Sequence, residues 1–311
     1  MDTLFVTGGT GFIGAAFVRR AVAAGHAVQA LARTAQSAQK LRAAGAAPVL
    51  GDLGDPGGWR EAAAAADGVV HLAQPETFGA RITLKRAQRY EALRLRLDAA
   101  LLDTLRPERT RRVLYVCGTN YYGDQGTHPR DEDALPNPRG WGRYVAAAVD
   151  ALAPHAARGL AIVEAYPGWV YGAGSWFSEY ILAPMRRGLP LMLLAGPDRL
   201  VPPVHVEDCA AALLHLYGHG APGRRYFVVD DRPSPVLAML ELAASTLGVR
   251  LRTWRAPRWL YEALAGPVVA ESSTYDCALS NARLRATGFV PRFPTVDTGV
   301  PDVARRWLEA R

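Results

Sequence analysis

Lysine is nearly missing from this chain. Lys40 and Lys85 occur early and none follows residue 85, so the 36 basic residues of the 311 are almost all arginine. Cysteine is also scarce. Cys117, Cys209 and Cys277 lie far apart, and their odd number and wide spacing exclude a disulfide framework. No Cys/His grouping has the spacing of a metal centre, so no metal is expected. No apolar run reaches the length needed to cross a bilayer, and no secretory leader precedes the first strand-like run. A soluble, cytoplasmic protein without a membrane partner is therefore expected. Repeats and low-complexity linkers are absent too. The net charge of +7 comes from scattered pairs such as Arg19-Arg20, Arg111-Arg112 and Arg305-Arg306. A nucleic-acid footprint needs such charge to cluster, so no nucleic-acid partner is expected. With 50% hydrophobic and 21% charged residues, the balance is that of a globular protein.

What is present is an alternation of apolar strand-like runs and Ala-rich helical ones. Strands are expected at 4–7, 27–32, 48–50, 68–72 and 112–117, and helices at 12–24, 35–44 and 90–105. Strands alternating with helices imply a parallel sheet with right-handed crossovers. Further strands are expected at 161–166 and 226–229. The stretch 174–200 is rich in aromatic and Met residues, and 254–268 in Pro and aromatics. They read as a small cap with its own core, as the wall of an apolar pocket, or as both.

Directly behind the first strand stands Thr7-Gly8-Gly9-Thr10-Gly11-Phe12-Ile13-Gly14. Glycines at 8, 11 and 14 allow a tight turn, close approach of a pyrophosphate to the backbone, and close packing of the next helix on the strand. The helix N-terminus then offers free amides to the anion. A glycine triplet alone is a weak signal; its place between a strand and a helix is what makes it specific. Where the second strand ends, an NAD site usually carries an acid for the ribose hydroxyls. Here Arg33 stands instead, with Thr34, Ser37 and Lys40 close in sequence, and a guanidinium there suits a 2′-phosphate. NADP(H) is therefore the expected cofactor. Asp52, after the third strand and followed by Leu53, is placed to accept from the adenine amino group, or else serves as an ordinary loop or capping Asp.

These residues resemble the extended short-chain dehydrogenase/reductase family, also called the NAD-dependent epimerase/dehydratase family. The likeness runs nearly end to end. It includes the 7–14 turn, Gly51-Asp52-Leu53, His71-Leu72-Ala73, Val113 to Val116 with Tyr122-Gly123-Asp124, and Pro167-Gly168-Trp169-Val170-Tyr171-Gly172. It continues in Val204-His205-Val206-Glu207-Asp208 and in Ser280-Asn281-Ala282-Arg283 with Gly288-Phe289 and Pro291. The resemblance implies an α/β fold, a Rossmann-type doubly wound parallel sheet with a small C-terminal substrate-binding subdomain. Residues 1–165 would form the dinucleotide-binding core. Residues 166–311 would complete the sheet and supply a substrate-binding cap at about 174–200 and 230–275. It further implies cofactor contacts from Gly8, Thr10, Gly11, Phe12, Ile13, Gly14, Arg33, Asp52, Leu53, Leu72, Ala73, Pro167 and Gly168, a small-molecule substrate, and a monomer or homodimer.

The chain departs from the family where the chemistry is done. Family members move a proton with a Tyr and a Lys four residues apart, and orient the carbonyl with a Ser or Thr. Alignment on the helix start places Trp141 and Val145 at the Tyr and Lys positions. The Ser/Thr position falls on Gly118, next to Thr119. No Tyr-x-x-x-Lys exists in any register, because the last lysine is Lys85. The expected activity is NADPH-dependent reduction of an aromatic polyketide or similar apolar carbonyl. It is similar to that of atypical ketoreductases of aromatic polyketide (angucyclinone-type) antibiotic biosynthesis, with the proton coming from the substrate, water or a nearby hydroxyl. Thr119 is the candidate for orienting the carbonyl. Tyr121, Trp141, Trp169, Trp176 and Phe177 are candidate substrate-lining residues. The alternatives are a cofactor-binding sensor without turnover and a nucleotide-sugar epimerase or dehydratase. His71 and His205 are expected to be structural, and Asp208 to cap a helix starting near residue 209.

Overall fold

The computed structural model describes residues 1–76 and 81–310. Seven parallel strands form its centre: β1 (Thr3–Thr7), β2 (Ala27–Ala32), β3 (Ala47–Leu50), β4 (Gly68–His71), β5 (Arg112–Val116), β6 (Ile162–Pro167) and β7 (Arg225–Val228). Across the sheet they run β7-β6-β5-β4-β1-β2-β3. The register places Thr3 opposite Ala27 and Leu4 opposite Gly68, so β1 has β2 on one side and β4 on the other. Strand order reverses there, and that is where open α/β sheets bind ligands, outside the carboxyl ends of the strands.

The crossovers are α1 (Phe12–Ala23), α2 (Ala35–Ala43), α3 (Trp59–Ala65), α4 (Leu84–Leu102) and α5 (Arg143–Asp150), followed by α6 (Val206–His219) before β7. Side chains alternate across each strand. Leu4 and Val6 join the core under α1 and α6 with Phe17 and Leu213, while Phe5 joins the opposite core with Trp59, Val69 and Leu101. Both faces are therefore sealed, which a parallel sheet requires.

Two differences from the expected elements matter. The helix α3 fills what reads as a loop in the sequence, and its Trp59 is fully buried. The helix α4 starts six residues before Tyr90, because the Thr83 hydroxyl accepts from the Arg86 amide and caps it there. Tyr90 consequently sits inside the helix. The second half supplies β6 and β7 to the sheet. It also builds a separate core from Tyr171, Phe177, Met185 and Leu191, with α7 (Val236–Leu247) and α8 (Val296–Glu309) packed together over it.

Candidate functional site

The glycine turn after β1 is held by sterics. Gly8 has φ +72°, and a Cβ there would lie 2.6 Å from the Ala73 amide. A Cβ on Gly14 would lie 2.0 Å from the Gly8 carbonyl oxygen. Gly11 differs: it is exposed, and an added Cβ would meet only the Gly8 oxygen, at 3.2 Å. Its side opens outward. The helix α1 begins at the next residue with no side-chain cap and no acid in its first turn. Its leading amides and its positive end thus face solvent, a ready anion site. Thr10 is exposed on the rim, and Ile13 is half-buried. The Phe12 ring packs against Gly172, where a Cβ would come within 2.9 Å of it. Leu72 and Ala73 border the turn after β4, with the Ala73 amide donating to the Thr7 hydroxyl at 3.2 Å. This cradle fits a dinucleotide pyrophosphate.

Arg33 is exposed at the end of β2 and pairs with Glu76 at 2.5 Å. Thr34 accepts from the Ser37 amide and caps α2. Asp52 folds its carboxylate onto the Gly54 amide at 2.7 Å, the loop role foreseen as one of its two readings. Leu53 is buried in the core.

Gly118, Trp141 and Val145 come together. They line one small cavity of about 50 Å³, shared with Gln74, Tyr90, Arg94, Cys117, Asn120 and Ala148. The three positions of the usual catalytic set are thus assembled, with no acid or ammonium in any of them. Trp141 packs on Tyr90 with ring centres 4.6 Å apart and planes tilted by 52°, and its backbone N–H donates to the Ser272 hydroxyl. Gly118 is extended, and a Cβ there would meet nothing nearer than the Pro167 carbonyl oxygen at 3.8 Å. Pro167 thus lies next to Gly118, while Gly168 packs against Pro202 and Val229; neither lines the cavity. Cys117 is no nucleophile, since burial pushes its thiol up to about 12.

The remaining candidates sit apart from this cavity. Thr119 is buried and does not line it. Tyr121 donates to Asp150 at 3.1 Å and packs on Tyr122 and Tyr166. Phe177 is 1% exposed within the second core, so it packs rather than lines. Trp169 and Trp176 meet edge to face and are half-buried, with the Trp176 indole donating to the Val170 carbonyl.

A buried polar chain runs beneath the cavity. The Thr7 hydroxyl meets His71 Nδ1 at 2.7 Å, and His71 Nε2 meets Asp98 at 2.8 Å. Arg94 donates to Asp98 at 2.7 Å and to the Val116 carbonyl at 3.1 Å, and the Tyr115 phenol also donates to Asp98. Burial alone would raise the Asp98 carboxyl. The adjoining Arg94 and His71 outweigh it and hold the group down at about 2. Tyr90, Arg94 and Asp98 are absent from the sequence-based candidates. Their spacing of four along α4 places them on one face, which was the available signal.

A model of the NAD dependent epimerase/dehydratase family matches residues 4–229. The chain belongs to that family. An uncharacterized protein, C2A9.02, of Schizosaccharomyces pombe is 30% identical over 256 residues, covering 80% of each chain. A Stigmatella aurantiaca 4-hydroxy-2-methyl-3-oxo-4-farnesyl-3,4-dihydroquinoline-1-oxide ketoreductase is 26% identical over 257 residues, 81% of this chain and 75% of that one. The human epimerase family protein SDR39U1, solved with NADPH, superposes with a TM-score of 0.79 at 23% identity, over 97% of this chain and 99% of that one. Among the described residues no helix is long and apolar enough to cross a membrane, and no group of His, Cys, Asp and Glu is arranged to hold a metal.

Two residues of the family segment 204–208 have structural roles here. His205 caps α6, its Nδ1 accepting from the Glu207 amide at 3.1 Å. Asp208 does not cap that helix, because α6 starts at Val206, two residues too early. Its carboxylate instead ties down the amides of Arg292 and Phe293 at 2.9 and 2.6 Å. Nearby Asp230 is pushed up to about 8, by burial first and by Asp208 and Asp231 next, against a long hydrogen bond from Tyr171. Its folded value lies above its unfolded one, so it costs stability increasingly as pH rises from about 4 to about 8. Asp230→Asn is therefore expected to gain nothing near pH 4 and about 1–3 kcal/mol by pH 8, measured by urea denaturation across that range.

Proposed function

We propose that the protein is an NADPH-dependent ketoreductase for an apolar carbonyl compound, of the aromatic polyketide kind, acting without the family's Tyr and Lys. One observation carries this reading. The glycine turn leaves the leading amides of α1 open, and Gly118, Trp141 and Val145 line one small cavity with no acid or ammonium among the three. Sugar oxidation needs a base to remove a hydroxyl proton, and none stands at those three positions, which disfavours a nucleotide-sugar epimerase or dehydratase. Reduction of a ketone asks less, since hydride transfer belongs to the cofactor and the protein need position the carbonyl and exclude water. The likeness to a ketoreductase supports the same class.

The residues divide the work by place. The amides at the start of α1, with Gly8, Gly11 and Gly14, would hold the pyrophosphate of the dinucleotide, whose nicotinamide supplies the hydride. Leu72, Ala73, Pro167 and Gly168 would flank the nicotinamide end. Trp141, at the cavity, would present flat apolar surface to the substrate, where stacking selects aromatic shape. The test is loss of NADPH absorbance with a panel of aryl and polycyclic ketones. Tight NADPH binding without oxidation by any of them favours a sensor, and binding of a sugar nucleotide favours the epimerase class.

Arg33 would carry the preference for NADPH. Its pairing with Glu76 is between exposed groups and is worth little, so a 2′-phosphate replaces it readily as partner. Arg33→Ala is expected to weaken NADPH binding on the order of 10–100-fold, the worth of a charge-assisted bond or two, while NADH binding changes little. Titrating each nucleotide against protein fluorescence checks both.

A further inference from the structure

The site lacks a proton donor at 141 and 145, yet the α4 side of the same cavity holds one. We propose that Tyr90 and Arg94, one turn apart on α4, form a relocated acid–cation pair in which Tyr90 gives the proton to the substrate carbonyl oxygen. The proposal rests on the ketoreductase reading and names the group that completes it.

Both side chains line the cavity formed by Gly118, Trp141 and Val145. Both are buried, at 2% exposure each. The Tyr90 hydroxyl is held by Gln74 Oε1 at 3.2 Å, directly after the Leu72-Ala73 segment that borders the glycine turn. The Trp141 ring lies against the Tyr90 ring and fixes its plane. Arg94 is anchored by Asp98 and by the Val116 carbonyl, so its charge stands beside the cavity in one orientation. The groups around Tyr90 are Arg94, Cys117 and Asp98 as well as Gln74 and Trp141. Burial raises the phenol above its ordinary value, and Arg94 pulls it back down. The phenol therefore stays protonated at neutral pH, and the guanidinium stabilises the phenolate left after transfer. A tyrosine and a cation four residues apart on one helix is the arrangement missing from α5, here supplied with arginine instead of lysine. A carboxylate under the arginine keeps it in place.

The step balances. Hydride from the reduced nicotinamide dinucleotide forms the new C–H bond at the carbonyl carbon, and the Tyr90 O–H breaks as its proton passes to the carbonyl oxygen. The product is the secondary alcohol, the dinucleotide is oxidised, and the Tyr90 phenolate regains a proton from water on the exposed Gln74 side.

Tyr90→Phe removes one oxygen and keeps the ring against Trp141. The wild-type chain, Tyr90→Phe and Arg94→Lys are assayed with NADPH and 2-tetralone or trans-1-decalone. In parallel, tyrosinate absorbance of the ligand-free proteins is titrated with base, NADPH affinity is measured by fluorescence, and melting is followed. Expected are a fall in kcat of about 100- to 10,000-fold in Tyr90→Phe, the span general acids contribute, with NADPH affinity and melting little changed. The wild-type solvent isotope effect on kcat also disappears, and Arg94→Lys, which keeps a charge but cannot bond Asp98 and the Val116 carbonyl together, lowers kcat less than Tyr90→Phe does. The base titration loses one late-ionising tyrosine in Tyr90→Phe. Wild-type turnover that Tyr90→Phe retains within about twofold, far below the general-acid range, overturns this assignment alone and gives the proton to water or substrate. Failure of the wild type to reduce any ketone overturns the ketoreductase reading and this assignment with it.

Discussion

Gly14→Ala is expected to abolish measurable NADPH binding, and Gly11→Ala to weaken it without destabilising the fold. The contrast follows from what each added methyl meets. At Gly14 it would stand 2.0 Å from the Gly8 carbonyl oxygen and 3.0 Å from the Gly9 Cα, with backbone on both sides. Backbone cannot swing aside, so α1 must move off β1 and the turn must open. Overpacking of this kind costs about 1–3 kcal/mol of stability. Moving the leading amides of α1 also removes two or more hydrogen bonds to a charged pyrophosphate, each worth about 1.5–3 kcal/mol, so affinity falls on the order of 100-fold or more. At Gly11 the methyl meets only the Gly8 oxygen, at 3.2 Å, and otherwise points into open space. There the loss is confined to binding, because the methyl occupies the ligand's side of the turn. Nucleotide titration alongside thermal melting separates the two. If Gly11→Ala bound NADPH as well as the parent chain, the pyrophosphate would not lie on this turn.

That turn was readable because it depends on local geometry. Three glycines at fixed offsets between an apolar strand and a helix dictate one conformation, and the element bounds from β1 to β3 fall within a residue of those expected. The absence of Tyr-x-x-x-Lys was equally readable, since a missing residue type needs no alignment. What α4 does was not. Arg94 and Asp98 are separated by four residues on an amphipathic helix, which ordinarily describes a solvated ion pair. The structure buries both, because His71 and Tyr115 come from β4 and β5 to meet Asp98. Partners that arrive from strands 17 and 27 residues away in sequence leave no periodic trace on the helix. Asp208 repeats the lesson. Its acceptors' partners are the amides of Arg292 and Phe293, some 84 and 85 residues on.

The fold and the departure from the family's chemistry are linked through that buried chain. The sheet order places β4 between β1 and β5. Thr7 ends β1, His71 ends β4, and Tyr115 lies near the end of β5, so the three polar side chains arrive at the carboxyl edge together. His71, held by Thr7, and Tyr115 meet on one carboxylate, and that carboxylate fixes one arginine. A cation beside the cavity is thereby built from the sheet and α4, with no demand on α5. Trp141 and Val145 can then be apolar.

Asp98→Ala should consequently be among the most destabilising single changes in the chain, costing about 3–5 kcal/mol, as expected when a buried arginine loses its partner. Arg94 is fully enclosed, His71 is wholly buried, and the Tyr115 phenol also donates to this carboxylate. One substitution leaves all three without it. The pH dependence is specific. The Asp98 value is depressed in the folded chain, from 3.8 to about 2. Its contribution is therefore complete above about pH 4 and is lost as pH falls toward 2, amounting to about 2 kcal/mol for a shift of that size. Urea denaturation of the parent chain and of Asp98→Ala between pH 7 and pH 2 should show two curves that converge in acid. Parallel curves would mean that Asp98 titrates normally. The double variant Arg94→Met with Asp98→Leu separates the structural and chemical roles, because apolar residues of similar volume commonly replace a buried ion pair without loss of stability. Its stability should return toward that of the parent chain while ketone reduction does not, since the charge beside Tyr90 is gone. Recovery of both would make the pair a packing device and nothing more.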